Sequence, residues 1–145
     1  MKKKKKYYKV LAYRYATSTN DKILVSVNGH VSDTWRVEYK LNECVTPKVY
    51  DTRLYVFDSL ENAEDFQRSE GGDYIYECEV KNPRPDIVAN FRQRNIEIFW
   101  ETIKLARRSK KSVKVAVKSL IKDYVPRGTI SCTEVKLTKL IRSYN

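Results

Sequence analysis

Few residues of this chain are of the types that catalyse, and their spacing narrows the chemistry further. The single histidine, His30, directly follows Gly29, where a turn residue exposed to solvent is expected. A Ser-His-Asp or Cys-His arrangement would need that imidazole as its base, and no neighbouring pattern supports one. Three cysteines, Cys44, Cys78 and Cys132, form no CxxC pair, which speaks against a zinc knuckle, and their odd number speaks against a disulfide framework. Reduced thiols are the simpler reading. The four glycines never fall into GxxxxGK[ST], so no phosphate-cradling P-loop is present. Two patterns remain. Glu77 and Glu79 form an ExE that a strand would place on one face, a pattern also common on solvated strands. Lys104, Arg107, Arg108, Lys110, Lys111, Lys114, Lys118 and Lys122 form a cationic series suited to phosphates.

The distribution of charge sharpens the second pattern. The net charge is +11, yet residues 2–9 carry six lysines (Lys2 to Lys6, and Lys9) and no acid. Residues 91–127 carry eleven Lys/Arg against Glu97, Glu101 and Asp123, whereas the rest of the chain holds twelve bases and fifteen acids. A mildly acidic body thus bears two basic appendages, which points to a polyanionic partner. On one continuous helix the cations from Lys104 to Lys122 would form a single stripe opposite the apolar face. The alternative is a solvated helix surface, although solvated faces usually mix signs. The N-terminal lysines could add phosphate affinity, with Tyr7 and Tyr8 available for stacking, or serve as a solubilising tail.

The elements that must position these residues read as α+β with a mostly antiparallel sheet, in one domain of 145 residues. A basic tail over 1–6 precedes a sheet-rich body over 7–85, a basic helical insert over 86–127 and a closing strand within 128–145. Residues 7–16 are apolar on both faces, which predicts a central strand. Lys22–Val27 and a return strand carrying Val31, Trp35, Val37 and Tyr39 flank Asn28-Gly29, a type I′ hairpin signal. LYVF at 54–57 is a short strand. DSLENAEDF begins a helix, with Asp58 as cap and Glu61 closing a capping box, and Gly71-Gly72 ends it. DYIYECEVK places Tyr74, Tyr76, Cys78 and Val80 inward and Ile75, Glu77, Glu79 and Lys81 outward. Ile96, Phe99, Trp100 and Ile103 mark one amphipathic helix, and Val113, Val117, Leu120, Ile121 and Tyr124 a second. RRSKKS at 107–112 is a turn between them or a continuation of the first, and a strand at 112–118 is the alternative for the second. A last strand is expected around Thr133–Leu137. No apolar run approaches the roughly 18 residues of a membrane span, so a soluble protein in the cytoplasm is expected, with no membrane partner.

Two resemblances add to this reading. The ExE strand, a first-strand arginine (Arg14) and the LYVFDSLENAEDF strand–helix resemble part of the ADP-ribosyltransferase fold. There an ExE-type strand holds the nicotinamide ribose, and the resemblance implies that role for Glu77 and Glu79. The family's strand-borne Ser-x-Ser/Thr has no counterpart here, since Thr17–Thr19 lies outside a strand. More broadly, FDSLENA, ECEVKNP and EVKL are similar to blocks of small uncharacterised phage and prophage proteins, in the same order. That resemblance implies a mobile-element origin and, by analogy, a role against a host system. The expectation is a non-catalytic, cofactor-free inhibitor of a host protein or nucleoprotein, of the anti-CRISPR type, acting through the basic helical segment. The alternatives are a sequence-nonspecific RNA- or DNA-binding protein, or an ADP-ribosyltransferase-like enzyme. Oligomeric state stays open.

Overall fold

The structure is a computed structural model that describes residues 5–16, 19–27, 36–49, 52–85, 96–110, 112 and 125–144, with only the backbone of 96–99. In chain order the elements are β1 (Tyr7–Tyr15), β2 (Lys22–Ser26), β3 (Glu38–Tyr39), β4 (Cys44–Val45), β5 (Leu54–Phe57), α1 (Leu60–Glu70), β6 (Tyr74–Lys81), α2 (Ile96–Arg108), β7 (Thr129–Cys132) and β8 (Glu134–Ser143). All paired strands run antiparallel, in the order β3-β2-β1-β6-β8-β4, so the expected α+β class with an antiparallel sheet is observed.

β1 is central because both of its faces are apolar. Along one edge it pairs with β6, from Tyr7 opposite Cys78 to Leu11 opposite Tyr74. Along the other edge its end pairs with β2, while Tyr8 near its start pairs with Phe57 of β5. β5 in turn pairs with β7, Leu54 facing Cys132. Since β7 runs through Thr133 into β8, and β8 pairs with β6, the sheet curls back on itself. The concave side holds Tyr7, Leu11, Tyr39, Leu54, Val56, Cys78, Ile130, Cys132, Val135 and Leu137. The convex side packs Val10, Phe57 and Ile75 against Ala63 and Phe66 of α1. Ile75, expected to face outward beside Glu77, is therefore fully buried: α1 covers that end of the strand.

The start of α1 differs from its expected cap. Ser59, not Asp58, is the N-cap, accepting from the Asn62 N–H at 3.1 Å. Asp58 accepts instead from the Asn62 side-chain amide at 2.8 Å. That pair is closed over by Gly128, whose φ is +78° and where a Cβ would lie 2.4 Å from the Asp58 carboxylate. The Gly128 carbonyl also accepts the Asp58 backbone N–H at 3.0 Å, so the chain returning to the sheet docks on the helix start. At the other end the Gly71 N–H bonds the Gln67 carbonyl with φ +91°, a glycine-dependent stop.

β2 and β3 pair as the hairpin reading requires, but with Leu24 opposite Tyr39. A two-residue turn at Asn28-Gly29 would set Leu24 opposite residue 33 instead, so that turn does not fix the observed register. Residues 28–35 themselves lie outside the described residues. β8 runs to Ser143, well beyond the expected Leu137; its extra residues Thr138 and Ile141 bulge opposite Glu77/Cys78 and Ile75/Tyr76 and break the alternation that marks a strand.

Arg84 bridges Ser131 although the two stand 47 residues apart. α2 occupies the first part of the connection, and Trp100, Ile103 and Ala106 bury its inner face. The expected second helix over Val113–Tyr124, like its strand alternative, lies outside the described residues. No helix among the described residues is long and apolar enough to cross a membrane.

Candidate polyanion-binding surface

α2 forms because apolar residues recur three and four apart while cations fill the positions between them. Trp100, 1% exposed, sets its ring 6.1 Å from that of Tyr55 on β5, so it belongs to the core. The helix ends at Arg108: the Ser109 N–H reaches the Leu105 carbonyl at 3.0 Å, and Lys110 takes φ +55°. The 107–112 stretch thus begins a turn, and the stripe does not continue on one helix through Lys110. Lys104 is half-buried, while Arg107, Arg108 and Lys110 are exposed.

The stripe also lies at a different angle from the expected one. Lys104 and Arg107 stand four and seven residues beyond Trp100, which puts them on its side of the helix, flanking the buried face. Opposite the core lie Glu101 and Leu105, the latter 62% exposed. Arginines in the last turn also complement the helix dipole, a stabilising effect that needs no partner. Lys111, Lys114, Lys118 and Lys122 lie outside the described residues.

At the N-terminus, Lys6 pairs with Glu77 at 3.6 Å and Lys5 sits 5.3 Å over the Tyr7 ring, so part of the tail folds back on the sheet. Glu77 and Glu79 do share a face of β6, with the Glu77 side chain 19% exposed. Arg14 lies six residues along β1 from Tyr8, the partner of Glu77, a run of about 20 Å at the usual rise per residue. The three residues the ExE reading would use together are therefore not brought together. Among the described residues no group of three or more His, Cys, Asp or Glu is placed to hold a metal ion.

Sequence reasoning missed two features of the concave face. Lys9 is buried, 6% exposed, donating to the Tyr55 carbonyl at 2.5 Å with its ammonium 5.2 Å from the Tyr39 ring centroid. Burial pushes its pKa down to about 8, against weaker upward pulls from Cys132 and Cys78. Burial likewise pushes the Cys78 thiol up to about 12 and that of Cys132 to about 11, and raises the Tyr39 hydroxyl. The second feature is a tyrosine cluster. Lys22 donates to the Tyr74 hydroxyl at 3.0 Å and lies 4.4 Å over the Tyr13 ring. Tyr13 packs edge-on to Tyr15, and Tyr74 to Tyr76. Period-two tyrosines were visible in both strands, but nothing local says that residue 11 pairs with residue 74.

The chain matches no protein-family model, no curated protein and no solved structure.

Proposed function

We propose that the protein is a non-catalytic binder that engages a polyanionic partner, a nucleic acid or a nucleoprotein, through the basic end of α2 and the basic residues that follow it. The observation that carries this reading is the concentration of exposed cations, Arg107, Arg108 and Lys110, at the end of a helix anchored by Trp100 and Ile103. A rigid inner face fixes the helix, so the cations present a defined charge to a partner rather than a fluctuating one. With the block resemblance to phage proteins, the reading extends to an inhibitor of a host nucleoprotein, of the anti-CRISPR type.

The test is a salt titration of binding to labelled DNA and RNA by the chain and by a variant with Arg107, Arg108, Lys111 and Lys114 replaced by Glu. Phosphate contacts make affinity fall steeply with salt, and each contact removed lowers that dependence by roughly one unit of log-log slope. Loss of both affinity and slope in the variant supports the reading. Unchanged binding makes the cations a solvated surface.

A further inference from the structure

Along the concave face of the sheet, the described residues become more exposed toward the end of β1. At the buried end of that face lies the core of Leu11, Tyr39, Cys78 and Leu137. Following the same face outward, the register brings Tyr13 and Tyr15 of β1 beside Lys22 of β2 on one side. On the other side it brings Tyr74 and Tyr76 of β6 beside Ser143 and Leu140 of β8. Tyr15 is 61% and Leu140 45% exposed, and Tyr13, Tyr74 and Tyr76 are half-buried. Four phenol rings and a cation thus share one exposed surface of a rigid antiparallel sheet.

Three details separate this patch from a merely soluble strand end. Lys22 lies over two rings at once, 4.4 Å from the Tyr13 centroid and 5.6 Å from that of Tyr74, and among the described residues it pairs with no carboxylate. The Asp73 carboxylate, next in sequence to Tyr74, accepts the Tyr13 backbone N–H at 3.1 Å. The rings also stand edge-on to one another, at 80° between Tyr13 and Tyr15 and 63° between Tyr74 and Tyr76, so neither pair is stacked face to face. A positive charge among exposed and half-exposed aromatic rings fits a ligand that combines flat rings with anionic groups.

From this we infer that the Tyr13–Tyr15–Lys22–Tyr74–Tyr76 face binds single-stranded nucleic acid, bases stacking on the tyrosine rings and Lys22 meeting a phosphate. The inference rests on the proposed polyanion binding for the sign of the partner's charge but uses a separate surface. Duplexes do not suit this face, because their bases are already stacked and paired, whereas an unpaired base offers a free ring surface to any aromatic side chain. Stacking is tolerant of sequence, so the face discriminates by strandedness.

The test measures anisotropy of a fluorescein-labelled oligothymidylate, and of a duplex of the same length, with the full chain and with Tyr15→Ala and Lys22→Met. Because Tyr15 and Lys22 are exposed, both variants should melt with the original. Tyr15→Ala should weaken oligothymidylate binding about tenfold, the lower part of the range for a lost stacking partner, and change duplex binding less than about twofold. Lys22→Met should lower the salt slope for the oligothymidylate by about one. The inference is overturned if the original chain does not bind oligothymidylate, if Tyr15→Ala binds it as tightly as the original, or if both probes lose equally. Loss on reversing Arg107 and Arg108 with no loss from Tyr15→Ala would leave the α2 reading standing and this one refuted. The opposite pattern would refute the α2 site and keep the tyrosine face.

Discussion

Replacing Lys9 by Met should stabilise the protein, most at neutral pH and progressively less as pH rises. Lys9 is buried among apolar residues, with a carbonyl and a ring face but, among the described residues, no carboxylate to offset its charge. Its folded pKa of about 8 lies below the ordinary 10.5, so burial disfavours the protonated form. Below pH 8 the penalty is fully present, and it disappears as pH rises through 10.5, because in that window the unfolded chain binds more protons than the folded one. At 1.36 kcal/mol per unit, the penalty is about 3 kcal/mol at pH 7 and about half that at pH 9.5. Methionine has a similar length and carries no charge, so it removes the penalty while filling the space. Urea denaturation followed by far-UV circular dichroism at the two pH values measures the difference. A Met variant less stable than the original at pH 7, or a stability difference that does not narrow by pH 9.5, would refute the argument that Lys9 is buried as a cation.

Other perturbations follow from the packing. Gly128→Ala should destabilise by about 2 kcal/mol or more, since the left-handed backbone and the Asp58 and Asn62 side chains leave a Cβ no room; denaturant midpoints check it. At pH 8 a thiol reagent should label Cys44, which is exposed, while Cys78 and Cys132 react only when the chain is unfolded, as mass spectrometry of the products would show. Between pH 9 and 11 these two thiols should lower stability as pH rises: their folded pKa values lie above the ordinary one, so the unfolded chain releases protons first.

The parts of this fold that were legible in the sequence are those whose signal is local. LYVF at 54–57, the Leu60–Ala63–Phe66 face of α1 and the central position of β1 followed from periodicity, and the structure reproduces them. Where tertiary contact decides, the reading failed for identifiable reasons. Asp58 and Ser59 are both good caps, and only the returning Gly128 carbonyl and the Asn62 amide select Ser59. The bulges at Thr138 and Ile141 of β8 break the alternation that would have extended the last strand to Ser143. Lys9 in a lysine-rich N-terminus reads as one more solvated cation, and its burial follows from β5 crossing β1, which no local pattern announces. For the basic series, the spacing itself held the correction: Lys104 and Arg107, four and seven residues from Trp100, cannot lie opposite it.

The central claim is that the exposed cations at the end of α2 meet phosphates of a partner. The most direct measurement is the slope of log affinity against log salt for a labelled nucleic acid, compared between the chain and an Arg107→Glu, Arg108→Glu variant. Both side chains are exposed, so the variant should stay folded while giving up at least about 0.3–1 kcal/mol of helix-dipole stabilisation per reversed charge. The account predicts weaker binding with a slope shallower by roughly two, one for each phosphate contact removed. Equal affinity and an equal slope in the two proteins would contradict it.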